Sequence, residues 1–369
     1  MNPLRSIEGL SGVELIRELS LEVGPSGLEE RVTGMIRQRA EKVADSTVTD
    51  KLGNLICKMS FGDTSAEGRR RIMLAAHTDE VGFMIDRICS DGMLTFGCVG
   101  GIDSSVLAGR KVFVCGENEI LSGVICSKAI HHKDKDERKR ALESDKLYID
   151  LGFSSREECE KHIRIGDLGT FDSEFYSFGK DKRTLKCKAL DDRMGCAALL
   201  EIMDRLKAAP IDKNIDLYFC FTVREEIGYS GAVGAANTIA PELGIVLETT
   251  AISDLPKTAA HRRVADVGEG AVLSIADRAT LYDRETVERA MDIARESGVK
   301  AQLKRYVSGG NDAGKIHKAG GGCKVLAISV PTRYLHSPAC VASLDDYESV
   351  RDLVLCLIKN VNIKGDKLL

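Results

Sequence analysis

The sequence of 369 residues predicts an α/β fold, in which a mostly parallel sheet carries helices on both faces and a small β domain is inserted. From residue 179 onward, strand-like and helix-like segments alternate, which is typical of a parallel sheet covered by helices. Residues 81–170 instead contain short strands separated by Gly, Asp and Asn. The chain is also longer than a domain with a single hydrophobic core usually is, which favours two domains. We therefore predict a discontinuous α/β domain, residues 1–80 and 171–369, and an inserted domain, residues 81–170.

The segment before the insertion is predicted to contain two helices followed by strands. Residues 13–23 and 28–43 have helical periodicity, with a Gly-Pro-Ser-Gly turn between them. Residues 47–59 are strand-like on both sides of a turn at 51–54, and the apolar residues 70–76 predict a buried strand.

The insertion is predicted to be a small β-barrel domain. Its expected strands cover residues 81–88, 93–98, 111–115, 123–128 and 146–151. The charged run HHKDKDERKR at 131–140 is interpreted as a solvated or mobile loop.

After the insertion, the sequence alternates between helices and strands. The predicted helices cover residues 192–209, 230–239, 284–297 and 345–359. The predicted strands cover residues 215–223, 244–248 and 325–330.

Composition excludes several classes of protein. A net charge of −4 argues against bulk binding of nucleic acid, which needs a basic surface. No run approaches the roughly 18 apolar residues of a membrane span, and the N-terminus lacks the apolar core of a signal peptide, so we expect a cytoplasmic protein. The twelve Cys form no C-x-x-C pair and fit reduced thiols. Because Trp is absent and aromatics make up only 5%, a sugar-stacking cleft is not expected.

Five strand-like apolar runs lead to residues that could bind a metal. In chain order, the runs lead to His77 (with Asp79), to Asp191-Asp192, to Glu225-Glu226, to Glu248 and to His336. Sites in open α/β sheets form outside the carboxyl ends of the strands, so these side chains can converge. Two His and several carboxylates are what a site for two divalent metals requires.

Each residue also has a structural alternative. Asp79 can orient the imidazole of His77, which alone could be a structural His. Asp191 could be a helix N-cap. Because a cap needs only one Asp and Asp192 is a second one, Asp191 could instead be a carboxylate that bridges two cations. Two adjacent carboxylates at Glu225-Glu226 repel one another unless a cation neutralises one, and the other could then accept a proton from water. A solvated turn is the alternative.

Six motifs resemble one known family. They are AAHTDEVGFMI at 75–85, VGGIDSSVLAGRKV at 99–112, ALDDRMGCAALLEI at 189–202, REEIGYSGA at 224–232, SGGNDAG at 308–314 and PTRYLHSP at 331–338. Together they resemble the tetrahedral, dinuclear-metal aminopeptidases, a family also known under the names glutamyl aminopeptidase, deblocking aminopeptidase and cellulase-like protein. The resemblance extends over nearly the whole chain.

The resemblance implies a metal-dependent hydrolase that removes N-terminal residues from peptides. It implies one metal held by His77, Asp191 and Glu248, and a second held by Asp191, Glu226 and His336. The ions would be zinc, cobalt or manganese, and Glu225 would be the general base. The phosphorylase/hydrolase-like catalytic domain would carry the inserted barrel for dimerisation, with dimers assembling into dodecamers. Many relatives have Asp where this chain has Glu248, which is a longer ligand for the same metal.

Two other functions remain open from the sequence. A glycoside hydrolase would use two carboxylates without an obligatory metal. An assembly or binding protein with a weak catalytic site is the second alternative, because Glu248 departs from the common pattern. The cations of His261-Arg262-Arg263 would favour acidic substrates, or they belong to a solvated loop.

Overall fold

The computed structural model describes residues 4–132, 134–135, 143–362 and 369. Most of the charged run predicted as a loop, residue 133 and residues 136–140, therefore lies outside the described residues. No helix in the described part is long and apolar enough to cross a membrane.

A sheet of eleven strands forms the larger part of the molecule. Its strands are β1 (Ser46–Thr49), β2 (Leu55–Phe61), β3 (Arg70–His77), β10 (Tyr176–Phe178), β11 (Thr184–Cys187), β12 (Ile215–Thr222), β13 (Leu243–Ala251), β14 (Ala271–Leu273), β15 (Ala301–Leu303), β16 (Lys324–Arg333) and β17 (Cys340–Ser343). Along the sheet the order is β1-β2-β12-β3-β13-β16-β17-β11-β10, with β14 and β15 attached to β16.

Parallel pairing is concentrated in the centre of this sheet. Strands β12, β3, β13 and β16 are neighbours and run parallel, whereas the outer strands from β17 to β10 and β1–β2 pair antiparallel. The register places His77 opposite Thr222, and Glu248 opposite Ser329. The carboxyl ends of the four central strands therefore meet at one edge of the sheet, where ligands bind in such folds.

Helices cover the sheet. They are α1 (Gly12–Leu21), α2 (Glu30–Ala40), α4 (Leu190–Ala208), α5 (Ser230–Ile239), α6 (Arg284–Glu296), α7 (Ala313–Ile316) and α8 (Leu344–Asn360). The long helix α4 packs on β3 and β13 and against α1, α2 and α8. Helices α5 and α7 pack on each other and on the same central strands. One continuous apolar core includes residues of the sheet, of α4 with the helices packed against it, and of α5 and α7.

The inserted segment forms a closed barrel of six strands. They are β4 (Gly82–Ile88), β5 (Leu94–Val99), β6 (Lys111–Cys115), β7 (Ile120–Cys126), β8 (Tyr148–Asp150) and β9 (Leu168–Phe171). A separate core fills the barrel, where the rings of Phe96 and Phe171 each meet that of Phe83 edge-on. A short helix, α3 (Arg156–Cys159), precedes β9.

The predicted fold class, α/β with an inserted barrel, is confirmed. The division at residues 81 and 170 stays a prediction. Two details differ from expectation. Strand β13 continues past Glu248 to Ala251, so Glu248 lies inside a strand rather than at its end. In addition, the short strands β9, β10, β14, β15 and β17 were not predicted, because three or four residues of mixed polarity carry little periodicity.

Candidate metal centre

The carboxyl ends of the four central strands open into a cavity of about 670 Å³. Six of the seven site residues predicted from the sequence line it: His77, Asp191, Glu225, Glu226, Glu248 and His336. Asp79, the seventh, is fully buried behind His77. The sheet thus brings together side chains that are up to 259 positions apart in the sequence (336 minus 77).

The first group of side chains surrounds the imidazole of His77, the last residue of β3. Its Nε2 lies 3.3 Å from Oδ1 of Asp191 and 3.3 Å from Oε1 of Glu248. The imidazole is almost completely buried, with a side-chain exposure of 2%. Three potential ligands therefore converge on one point in the interior.

The second group surrounds His336, which follows strand β16. Its Nε2 lies 3.4 Å from Oδ2 of Asp191 and 3.3 Å from Oε1 of Glu226. Asp191 thus presents one carboxylate oxygen to each histidine. A carboxylate shared in this way joins the two groups into one cluster.

The other ring nitrogen of each histidine faces a carbonyl oxygen. Nδ1 of His77 lies 3.1 Å from the backbone oxygen of Asp79 and 3.4 Å from its Oδ1. Nδ1 of His336 lies 2.8 Å from the backbone oxygen of Gly101, in the loop after barrel strand β5. If each Nδ1–H donates to its carbonyl, the lone pair of each Nε2 remains available for a metal.

Asp79 also holds the two glutamates, which the sequence analysis did not foresee. Its carboxylate accepts the backbone N–H of Glu225 at 3.0 Å and that of Glu226 at 3.1 Å. It accepts the hydroxyl of Ser26 as well, at 2.5 Å. One buried carboxylate therefore contacts His77 and fixes the backbone of the turn after β12.

The N-cap of helix α4 is made by Asp192. Its Oδ1 accepts the N–H of Gly195 at 3.0 Å, and its Oδ2 accepts the N–H of His77 at 3.3 Å. Because Asp191 and Asp192 have non-helical backbone angles, the regular helix starts at Arg193, one residue after the predicted start. His77, Asp192 and Glu248 also lie close enough to share an ion. Since both oxygens of Asp192 already accept N–H groups, Asp191 is the better candidate ligand.

The electrostatics of the cluster favour cations. Burial alone would lower the pKa of His336, but hydrogen bonds with Asp191 and Glu226 raise this pKa to about 11. The pKa of His77 is likewise raised, because Glu248 and Asp191 outweigh its burial. Burial would raise the pKa of Asp191, yet the two histidines lower it below its ordinary range. In this donor set, the protons on the two histidines supply positive charge beside the carboxylates, as bound metal ions would.

The net pKa shift of the two glutamates Glu225 and Glu248 is upward, because their burial outweighs the nearby His77. Burial raises the pKa of Glu248 to about 8, with Asp191 and Asp312 adding to the effect. It also raises the pKa of Glu225 well above its usual value, with added repulsion from Glu248 and Asp312. The pKa of Glu225 is thus shifted in the direction that favours a carboxyl group acting as both base and acid.

The residues present fit two divalent ions. Each group supplies one imidazole nitrogen and two carboxylates, and three protein ligands leave the open position that catalytic metal sites need. Oε2 of Glu248 is buried and has no hydrogen-bond partner among the described residues, so a ligand would satisfy it.

The cavity is also lined by residues that the sequence analysis left without a role. They include Tyr229, Lys304 and the loop Ser308–Asn311. Lys304 donates from Nζ to the carbonyl of Ser308 at 2.8 Å, and burial lowers its pKa. His261, Arg262 and Arg263 are not among the described residues that line the cavity. The motif REEIGYSGA, which contains Tyr229, and the motif SGGNDAG, which contains the loop, were the sequence signals for these residues.

Three comparisons with known proteins agree on one family. A family model described as M42 glutamyl aminopeptidase matches residues 53–353. A provisionally named aminopeptidase of Acetivibrio thermocellus is 34% identical over 343 residues, 93% of this chain and 97% of that protein. The lysyl aminopeptidase of Pyrococcus furiosus and the glutamyl aminopeptidase of Lactococcus lactis are each 27% identical, over 94% and 91% of this chain and 97% and 93% of theirs.

Solved structures give the same result. A TET aminopeptidase of Thaumarchaeota archaeon SCGC AB-539-E09 has a TM-score of 0.91 at 35% identity, covering 96% of this chain and 98% of that one. The TET1 peptidase of Pyrococcus horikoshii, described as assembling into a tetrahedron or a large octahedral shell, has a TM-score of 0.82 at 31% identity, covering 94% and 98%. A Thermotoga maritima protein named endoglucanase has a TM-score of 0.75 at 31% identity, covering 94% and 97%. The resemblance seen in the motifs is thereby confirmed.

Proposed function

The chain belongs to the M42 glutamyl aminopeptidase family, a metal-dependent family of aminopeptidases, and from this premise we propose that it removes N-terminal residues from peptides with the aid of two divalent ions. The observation that carries the proposal is the shared carboxylate of Asp191, whose two oxygens face His77 and His336. A carboxylate between two such groups is the arrangement that a two-metal hydrolase uses.

The proposed ligands divide into two sets. His77, Asp191 and Glu248 would hold one ion, and Asp191, Glu226 and His336 the other. When bound, the ions would supply a water of lowered pKa and polarise the scissile carbonyl. Because the set combines imidazole nitrogen with carboxylate oxygen, zinc, cobalt and manganese are all suitable.

Glu225 is the proposed general base and acid. Its backbone is fixed by Asp79, and its carboxyl group lines the cavity beside the ligands without belonging to either set. The raised pKa of Glu225 lets the carboxylate take a proton from the attacking water. The same group then donates this proton to the leaving amine, so one residue performs both transfers.

The charge of the cavity suits a free amino terminus. Asp103, Glu226 and Glu248 line it together with Asp191, and Lys304 also belongs to the lining. The ammonium group of a peptide would be attracted to the carboxylate side, which places the first peptide bond beside Glu225. Cleavage would then be restricted to the N-terminal residue.

The barrel is the proposed surface for self-association. Its strands expose Met84 and Val124, each 44% accessible, and Tyr148, at 38%. We propose that these exposed apolar side chains contact another subunit, since apolar surface of this kind is buried at protein–protein interfaces. Together with the tetrahedral or octahedral shell described for the TET1 peptidase and the dodecamer described for a similar structure, they support a dimer that builds a larger shell such as a dodecamer. The cytoplasmic location stays a prediction.

A glycoside hydrolase is the second candidate, because one similar structure is named endoglucanase. The two functions differ in their need for metal. Purified protein treated with a chelator should lose hydrolysis of aminoacyl-anilides and regain it with Zn²⁺, Co²⁺ or Mn²⁺. Chelator-resistant hydrolysis of a soluble β-glucan, without activity on any anilide of a broad panel, would favour the glycoside hydrolase instead.

A further inference from the structure

A buried carboxylate, Glu80, lies three residues after His77, behind the ligand cluster. Its side chain is only 3% exposed, and both of its oxygens are hydrogen-bonded. Oε1 accepts from Nζ of Lys188 at 2.6 Å and from the backbone N–H of Gly24 at 3.1 Å. Oε2 accepts the hydroxyl of Thr170 at 2.7 Å. The mechanism assigns no role to this group.

Two buried cations near Glu80 bracket the segment that carries Asp191. Lys188 lies before this segment and donates to the carbonyl of Glu22 at 3.0 Å, in addition to Glu80. Arg193 lies after it, with Nη2 3.5 Å from Oε1 of Glu80. The two cationic side chains are 2% and 0% exposed. Residues 189–192 are therefore fixed at both ends.

The same cations reach the segment that carries His77. Nε of Arg193 donates to the carbonyl of Thr78 at 2.8 Å, and Glu80 is bonded to Lys188. Because Thr78 is the next residue after His77 and Glu80 lies three residues after it, these bonds set the separation between His77 and Asp191. Glu80 and Lys188 line a small cavity, which is also lined by Asp191, Glu226 and His336. The pair of Glu80 and Lys188 therefore lies directly behind the proposed ligands.

Thr170 connects Glu80 to the barrel. It belongs to strand β9, which pairs with β4, and β4 pairs with β5. Strand β5 ends two residues before Gly101, whose carbonyl faces Nδ1 of His336. The hydroxyl of Thr170 thus anchors the part of the barrel that orients the second histidine.

We propose that Glu80 is a positioning residue that sets the spacing of the two ligand groups. Through Lys188 and Arg193 it fixes Asp191 relative to His77, and through Thr170 it fixes the barrel loop that orients His336. Glu80 itself is not a ligand and does not touch substrate. The proposal rests on the proposed function, since it concerns the geometry of the same metal site.

The proposal is tested by titrating the purified, metal-stripped protein with Co²⁺. Binding of Co²⁺ is monitored by its absorption in the visible range. Lys188→Met removes the bond to Glu80, and because Asp191 belongs to both groups, both Co²⁺ affinities should fall by about 10- to 100-fold, as for other residues that orient ligands. Thr170→Val keeps the shape of the side chain and removes one bond. It should lower the affinity for only one Co²⁺, the one whose step in the titration is lost in His336→Ala.

A matched control separates positioning from general stability. Nη1 of Arg351 bonds Oε2 of Glu201 at 2.7 Å in a comparably buried pair, with 11% and 7% side-chain exposure. Arg351→Met should lower the melting temperature and leave both Co²⁺ affinities unchanged. If Lys188→Met and Thr170→Val behaved like this control, Glu80 would be structural only and the inference wrong. If Lys188→Met did not fold, the Thr170→Val titration would decide.

The failure of the proposed function gives a different result. The parent protein would then bind fewer than two Co²⁺ per chain, whatever the variants do. Two bound Co²⁺ in the parent, with unchanged affinities in both Lys188→Met and Thr170→Val, would overturn the role of Glu80 alone.

Discussion

The two halves of the metal centre differ in how they are built. His77 is 2% exposed, and its Nδ1 faces a carbonyl two residues away on its own strand end. His336 is 33% exposed, and its Nδ1 faces Gly101, which belongs to the inserted segment. Both halves share Asp191. The first half is therefore formed by the α/β domain alone, whereas the second requires the barrel loop to be in place.

This difference suggests a division of labour. A buried ligand set excludes water and loses little orientation freedom, so it should hold its ion more tightly. The more exposed set depends on a contact between two structural units, and its ion should exchange more easily.

Replacement of the shared carboxylate should affect both halves. Asp191→Asn keeps the size of the side chain but removes the negative charge between the two histidines, so the protein should bind neither ion stably and lose its activity on aminoacyl-anilides. Metal content after dialysis measures this directly. Retention of two ions per chain in Asp191→Asn would show that another carboxylate, such as Asp192, bridges them.

Replacement of the general base should leave both halves intact. Glu225→Gln keeps the backbone N–H that Asp79 holds, so two ions should remain bound while kcat falls by about 10²- to 10⁴-fold, the usual contribution of a general acid–base group. Metal analysis and steady-state kinetics on the same sample give both values. A variant as fast as the parent would mean that Glu225 does not transfer the proton.

Replacement of each histidine should affect the halves separately. His77→Ala should remove the tightly held ion and also lower the melting temperature, because it takes the imidazole away from the buried carboxyl group of Glu248 and leaves this group only the backbone N–H of Thr249. His336→Ala should remove the more weakly held ion with little loss of stability, since its ring is partly exposed. Calorimetric titration with Zn²⁺ distinguishes the two. Equal loss of both ions in either variant would contradict the division of labour.

The pH dependence of stability should change sign when metal is added. Burial raises the pKa of Glu248 to about 8 and that of Asp312 to about 6, while the carboxylates of Asp191 and Glu226 raise that of His336 to about 11 against the effect of burial. Each group binds its proton more strongly in the folded protein than in the unfolded chain. The metal-free protein should therefore lose stability as the pH rises from about 5 to about 9.

Bound metal reverses this trend, because the ligands must be deprotonated to hold it. The increase in melting temperature caused by Zn²⁺ should grow over the same pH range. Thermal unfolding of stripped and reloaded samples at several pH values measures both effects. A metal-free melting temperature that rises between pH 5 and pH 9 would contradict the assignment of the raised pKa values to these groups.

The sequence predicted the fold class and the convergence of the site residues for one physical reason. Long apolar runs such as the one before His77 report buried central strands, and the ends of parallel strands meet at one edge. The assignment of metal ligands and of Glu225 as base stays a prediction that the geometry supports. Local patterns were enough for these features because both follow from strand periodicity.

Other features depend on tertiary contacts that leave no local pattern. Glu248 was expected at a strand end, but pairing with β16 continues β13 for three more residues. Asp191 and Asp192 look equivalent in the sequence, and only the hydrogen bonds of Asp192 to Gly195 and His77 separate the cap from the candidate ligand. The contact of Gly101 with His336 joins two structural units and could not be read from either segment.

A crystal structure of the Zn²⁺-loaded protein, with anomalous difference maps at the zinc edge, tests the central claim most directly. We predict two peaks about 3.5–4 Å apart, one among His77, Glu248 and Asp191, the other among His336, Glu226 and Asp191. A single peak, or a peak coordinated by Asp192 with Asp191 turned away, would contradict the shared carboxylate on which the account depends.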